Sequence, residues 1–190
     1  MPFRWLADPV SWDDEDGRLR IEAGACTDRF ADPQGGDPTL NAPALVGGAD
    51  GAFQLSARVA VEFADTFDAG ALLVSAGERV WAKLCLEYSP SREPMIVSVV
   101  TRGVSDDCNS FVVSGNEAWL RVSRVAPEAY AFHASRDGER WELIRHFSLD
   151  GGVDPEVGFT AQSPLGDGCT ATFSELRYVP QRLEDLRSGR

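Results

Sequence analysis

Between Phe53 and Phe63 every second position is apolar: Phe53, Leu55, Ala57, Val59, Val61 and Phe63 alternate with Gln54, Ser56, Arg58, Ala60 and Glu62. A period of two places the first set on one face of an extended strand, and that face is expected to be core. From residue 19 to residue 179 the chain keeps this habit in short runs rich in β-branched and aromatic residues, with no sustained helical period between them. Further strands are expected over 69–75, 80–88, 95–102, 110–114, 118–125, 129–135, 141–147, 156–162 and 169–178. Turn chemistry separates them at Gly77-Glu78, Ser89-Pro90-Ser91, Gly115-Asn116, Asp137-Gly138 and Gly166-Asp167-Gly168.

About ten strands without intervening helices exceed a small barrel and leave no room for parallel crossovers, so two stacked antiparallel sheets are favoured. Segment 31–50 carries Pro33, Gly35, Gly36, Pro38, Pro43, Gly47 and Gly48 and reads as a long surface loop. The expected organisation is one β-sandwich domain over 1–179, followed by a tail, 180–190, to which no role is assigned.

The 190-residue length suits a single sandwich with a sizeable core, and 43% hydrophobic with 25% charged residues is an ordinary globular composition. Charge changes the list of partners. Eighteen Lys and Arg against 30 Asp and Glu give −12, which repels phosphate backbones and anionic lipid, so neither nucleic acid nor membrane is expected. The start, Met1-Pro2-Phe3-Arg4-Trp5, leads into Asp13-Asp14-Glu15-Asp16 and has no signal-peptide pattern; no apolar run reaches bilayer length. Cys26, Cys85, Cys108 and Cys169 show no Cys-x-x-Cys spacing, which argues against zinc and redox motifs. A cytoplasmic protein with reduced thiols is the simplest account, with two bridges in an exported protein as the alternative.

Several stretches resemble a known family. They are 3–12 with Trp5, Pro9 and Trp12; Thr27-Asp28-Arg29-Phe30; Phe67-Asp68-Ala69-Gly70; 81–87; 97–109; Phe132-His133-Ala134-Ser135 with Asp137-Gly138; and 157–164. Over nearly the whole chain they resemble the domain-of-unknown-function family related to the fungal regulation-of-enolase protein, in the concanavalin A-like lectin/glucanase superfamily. The resemblance implies a jelly-roll-like sandwich whose concave sheet forms a groove of the kind superfamily relatives use for carbohydrate. It implies no settled activity, because one fold hosts many chemistries.

The strand faces supply candidates for such a groove. Over 81–87, Ala82, Leu84 and Leu86 point one way and Trp81, Lys83, Cys85 and Glu87 the other. Trp119, Arg121 and Ser123 oppose Leu120 and Val122; His133 and Ser135 oppose Phe132 and Ala134; Gln162 joins the polar side if its strand is locally irregular. Sharing one surface, Lys83, Glu87, Arg102, Arg121, His133 and Gln162 would bind a carbohydrate or sugar-derived ligand, with Trp81 or Trp119 for stacking. The same groups also suit plain ion pairing, Lys83 and Glu87 with neighbours such as Arg121.

The Glu-x-Asp-x-x-Glu arrangement of retaining glucanases is absent. Hydrolysis needs two carboxyls, and Glu87 is the one inside a central strand, with Asp68 or Asp106 as a possible second and His133 or Lys83 setting its ionisation. Binding without catalysis is therefore placed first; a sugar-active enzyme using Glu87 and His133, or a regulatory protein-interaction domain of carbohydrate metabolism, are the alternatives. Ser105-Asp106-Asp107-Cys108-Asn109 reads as a loop that either rims the groove or forms an Asx turn, and Cys108 has no identifiable base. His133 and His146 lack partners at metal spacing. The calcium-like run 13–17 has Trp12 and Ala23 where ligands are needed, so no metal is expected. Trp5, Trp12 and Phe30 are assigned to the edge of the core, with a sugar platform as the alternative. No phosphate loop, dinucleotide fingerprint or nucleophile elbow occurs, and no cofactor is expected.

Overall fold

The computed structural model describes residues 2–190, and among them there is no helix. The strands are β1 (Phe3–Ala7), β2 (Ser11–Glu15), β3 (Arg18–Gly24), β4 (Arg29–Phe30), β5 (Thr39–Leu40), β6 (Ala44–Gly48), β7 (Phe53–Glu62) and β8 (Ala69–Ser75). They continue with β9 (Val80–Tyr88), β10 (Pro94–Arg102), β11 (Val104–Val112), β12 (Glu117–Ala126), β13 (Ala129–Ser135), β14 (Glu142–Ser148), β15 (Glu156–Gln162) and β16 (Gly168–Val179). Two seven-stranded antiparallel sheets are stacked as a jelly-roll sandwich. The first has the order β1-β6-β15-β8-β9-β10-β11 and the second β14-β13-β12-β7-β16-β3-β2.

The inner faces meet in one core. Phe53, Leu55, Ala57, Val59 and Val61 of β7 belong to it with Leu72, Leu84, Ile96, Leu120, Phe132, Phe159 and Phe173, while Phe63 is partly buried at its margin. Burying a side chain of the Leu or Phe type is worth about 1.5–3 kcal/mol, so this layer dominates stability.

The first sheet is buried on both sides. Its outer face carries a second apolar cluster of Ala44, Val46, Ala69, Ala71, Leu73, Trp81, Cys85, Val97 and Val99, against which Phe30 and Leu40 pack. Double burial explains why β8, Ala-Gly-Ala-Leu-Leu-Val-Ser, reads as a continuous apolar run and not as an alternation. The cover is a flap formed by the β4–β5 ribbon and its flanks. It is pinned where Thr27 bridges to Ser163, where Ala42 N donates to Asp28 O, and where Ser105 N donates to Ala31 O.

Segment 31–50 is thus not a surface loop throughout. Residues 31–42 complete the flap, and β6 is an internal strand between β1 and β15. Its glycines Gly47 and Gly48 sit in that strand, Gly47 paired to Phe3 and Val157 and Gly48 to Glu156, and this pairing overrode their turn propensity. Residues 105–109, expected as a loop, are part of edge strand β11, paired to β10 with Asp107 opposite Val99. Their polarity is that of a strand with one solvent-facing edge.

Candidate functional site

β9 lies between β8 and β10, and strict alternation decides which of its side chains can do chemistry. Ala82, Leu84 and Leu86 enter the core, whereas Trp81 and Cys85 join the outer cluster, with Lys83 and Glu87 on the same side. Lys83 is 1% exposed. Cross-strand register then assembles the neighbours. Val99 of β10 and Asp107 of β11 continue the row from Lys83, and Ala69 stands between Glu87 on one side and Gln162 on the other. The small side chains of Ala69 and Ala71 leave room for longer ones to meet over β8.

The Lys83 ammonium donates to Gln162 Oε1 at 2.5 Å and to Asp28 Oδ1 at 3.3 Å. Asp28 reaches in from the flap, held by a bond from its own N to Asn41 Oδ1 and by Arg29 N donating to Asp28 Oδ1. Gln162 Nε2 donates to the carbonyl of Phe67 at 3.3 Å. Phe67 has φ +70°, a left-handed conformation uncommon for an aromatic residue and costing on the order of 1–3 kcal/mol. Its N–H is fixed to Tyr88 O at 2.7 Å.

These groups surround a cavity of about 160 Å³ lined by Asp28, Phe30, Phe67, Lys83, Glu87, Val97, Val99, Asp107, Gln162 and Pro164. Burial pushes the Glu87 carboxyl up to about 7; Lys83 opposes the rise, and Asp28 and Asp107 add to it. At neutral pH Glu87 therefore exists both as acid and as carboxylate, able to donate or to accept. Burial also raises the Cys85 thiol, which stays protonated beneath the cavity. Three carboxyls, one ammonium and one amide above apolar walls form a surface suited to a small ligand with several hydroxyls.

The six residues expected to share one groove divide into separate places. Lys83, Glu87 and Gln162 come together, and Gln162 does so by regular alternation opposite Phe159 and Ala161, without the irregularity expected of its strand. Arg121 and His133 belong to the second sheet, facing each other across β12 and β13 on its outer face. Parity correctly separated polar from apolar sides but could not say which sheet each strand joins. Arg102 stands at the end of β10, where Nε and Nη2 donate to Ser148 O.

The carboxylates proposed to assist Glu87 are also occupied elsewhere. Asp68 accepts from Ser163 Oγ, Ala64 N and Asp65 N, and Asp106 pairs with Arg145 at 3.0 Å. The carboxyls that do accompany Glu87 are Asp28 and Asp107. Trp81 is fully buried, with the Arg29 guanidinium 5.8 Å from its ring centroid, and offers no platform for a ligand. Among the described residues no group of three or more His, Cys, Asp or Glu is arranged to hold a metal ion.

All ten lining residues fall within five of the stretches that carry the family resemblance, from 27–30 to 157–164. A family model described as "Protein of unknown function (DUF1349)" matches residues 5–181. The chain belongs to this family. No curated protein matches the DUF1349 chain. Among solved structures it is similar to a functionally unknown protein from Saccharomyces cerevisiae, with 26% identity, a TM-score of 0.85, and 93% of this chain and 95% of that chain covered. It also resembles the GH43 protein BlXynB from Bacillus licheniformis at 16% identity and a TM-score of 0.76, over 94% of this chain but 37% of that one. An alginate lyase from Alteromonas sp. 272 matches at 11% identity and a TM-score of 0.59, with 93% of each chain covered. The last two likenesses establish the sandwich fold of the DUF1349 chain and nothing of its chemistry.

Proposed function

We propose that this DUF1349 domain binds a small polyhydroxylated ligand, a single sugar unit or a close derivative, in the Lys83 cavity and does not cleave it. The observation that carries the reading is the convergence of Lys83, Gln162, Asp28, Glu87 and Asp107 from distant segments on one partly apolar cavity. Its volume of about 160 Å³ is below the ~300–1,000 Å³ of most ligand sites, which favours one ring over a chain of them. Carboxylates and the amide match hydroxyls, while Phe30 and Phe67 offer an apolar surface to the C–H face of a ring. Several proteins of the same fold have carbohydrate-active names, which is consistent with this reading at the level of fold alone.

The test is calorimetric titration and thermal shift with pentoses, hexoses and their methyl glycosides. Ligand at about 100 times its Kd stabilises the native state by about 2.7 kcal/mol. A shift abolished in Gln162→Ala and retained in Arg102→Ala supports the site. Absence of binding by every sugar would defeat it and favour a regulatory protein-interaction role.

One observation favours catalysis as a second reading: the Glu87 carboxyl near 7, with two further carboxyls at the same cavity, is tuned as a general acid or base would be. Turnover of aryl glycosides by the wild type, lost in Glu87→Gln while binding persists, would establish that reading; sugar binding without turnover would retain the first.

A further inference from the structure

Three buried polar atoms without a hydrogen-bond partner lie on one patch of the second sheet's outer face: Arg121 Nε, Ser123 Oγ and His133 Nδ1. Arg121 and His133 are directly opposed across β12 and β13, and Ser123 follows two positions along the same face. Arg121 is 7% exposed and takes part in none of the ion pairs among the described residues. A buried guanidinium without a counter-ion is costly, and the partner that matches its planar fork is an oxyanion.

What Arg121 has instead is the Trp141 ring, 4.2 Å from its guanidinium carbon, and one carbonyl, Gly189 O, at 2.6 Å. That carbonyl comes from the C-terminal segment. After β16 the chain folds back over the sheet: Gln54 Nε2 donates to Gln181 O, Leu183 is buried, and His133 Nε2 lies 2.9 Å from Leu186 O. Asp185 and Arg190 close the segment with reciprocal backbone bonds. Gly189 has φ +69°, and a Cβ there would lie 2.6 Å from Arg121 Nη2 and 2.7 Å from Trp141 Cβ. Only a residue without a side chain fits between them.

Beside this contact opens a cavity of about 390 Å³, lined among others by Ser56, Trp119, Arg121, Trp141, Arg177 and Arg182. Arg190 adds a fourth guanidinium, against the carboxylates Glu175 and Glu184. In a chain of net charge −12 this local excess of positive charge reverses the surface average. The volume is that of an ordinary small-molecule site, and Trp119 and Trp141 line it.

We propose that this cavity is a second ligand site, separate from the Lys83 cavity, for a small molecule bearing an oxyanion, either a sugar acid or a phosphorylated metabolite. Arg121 is its buried anchor, and the segment ending around Gly189 competes with the ligand for that guanidinium. The ligand's oxyanion takes the place of the Gly189 carbonyl and pairs with the Arg121 fork; Arg177 and Arg182 add charge at the rim that salt screens.

Tryptophan fluorescence of the full chain is titrated with galacturonate, glucose 6-phosphate and inorganic phosphate, with galactose as the uncharged comparison. The titration is run on wild type and on Gln162→Ala, in which the Lys83 cavity takes no sugar; the expected result in that variant is saturable binding of at least one anion and none of galactose. Binding weakens by about tenfold or more in Arg121→Met and in the exposed pair Arg177→Ala/Arg182→Ala, which does not depend on the buried arginine for folding. It tightens in Gly189→Val, whose side chain evicts the competing segment, and is unchanged in Lys83→Met. Galacturonate alone marks the source as a sugar acid, and the two phosphates alone mark it as phosphorylated. The proposal is overturned if neither wild type nor Gly189→Val binds any anion, if galactose binds Gln162→Ala as well as the anions do, or if both sets of arginine replacements leave the affinity unchanged.

Discussion

Lys83 Nζ lies 2.5 Å from Gln162 Oε1, although 79 positions separate the two residues in sequence. The bond crosses β8, which separates their strands, and it fixes a buried cation at a point that Asp28 of the flap also reaches. One ammonium therefore ties the sheet, through Gln162, to the segment that covers it, and the cavity depends on that tie for its shape.

Replacing Lys83 by Met keeps most of the volume but leaves Gln162 Oε1 without its donor and Asp28 without its cation. Breaking a buried pair in this way costs several kcal/mol; with Asp28 partly solvated, Lys83→Met is expected to lose about 2–4 kcal/mol at pH 7. Because Lys83 holds the Glu87 carboxyl down, the variant also raises the Glu87 titration above its wild-type position near 7. Urea unfolding gives the first quantity and carboxyl-carbon NMR the second. A loss below about 1 kcal/mol, the range of exposed pairs, would show that the flap does not need this contact.

Glu87 should make the protein less stable as pH rises. Its carboxyl titrates near 7 in the folded chain and near the ordinary 4.5 when unfolded, so between those values the native state binds more protons. Below about 4.5 both states are protonated and Glu87 contributes no difference; the penalty grows through the window and is complete above about 7, at about 3 kcal/mol. Glu87→Gln removes the charge and is expected to unfold at higher urea than wild type at pH 8, with the gap closing at pH 4. A constant gap across that range would mean that burial does not control this group.

The sandwich was legible because period-two runs such as 53–63 admit one reading once helices are absent, and β8 and β9 occur with the expected bounds. The polar face of β9 was legible for the same reason. Sheet membership was not. Alternation places Arg121 opposite Leu120, but whether β12 lies beside β9 or across the core from it depends on pairings that no local pattern encodes. Asp28 and Asp107 were missed because one sits on a flap and the other in an exposed edge strand read as a loop. The Thr27-Asp28-Arg29-Phe30 stretch, noted for resemblance alone, was the available signal for the flap.

His133 should act on stability in the opposite direction to Glu87. Burial, and secondarily Arg121, lowers its imidazolium pKa to about 4, although the contact to Leu186 O favours the proton. The folded ring stays neutral while the unfolded one gains a proton below about 6.5, so its contribution is complete above 6.5 and is lost as pH falls toward 4. The amount is about 3 kcal/mol. His133→Gln, which retains an N–H donor for Leu186 O, is expected to flatten the fall in stability between pH 6.5 and 4. Unfolding curves in that window are the measurement, and an unaltered acid limb would remove His133 as its cause.

Gly70 marks a point where the two sheets press close behind the Lys83 cavity. It follows Ala69 in β8 and faces the core, where an added Cβ would lie 2.8 Å from Ala171 Cβ, 2.9 Å from Val59 Cγ1 and 3.1 Å from Val61 Cγ2. Its φ is not positive, so an alanine meets no backbone penalty and the cost isolates packing. Inserting a methyl into a filled core usually costs about 1–3 kcal/mol, and Gly70→Ala should fall in that range. Val59→Ala vacates part of the contested space, so in the double variant the two losses should sum to less than the singles predict, by about 0.5 kcal/mol or more. Urea midpoints for the four proteins close the cycle. Strict additivity, or a Gly70→Ala chain as stable as wild type, would mean that the sheets separate freely at this point, and the floor of the cavity would then be softer than its continuous burial implies.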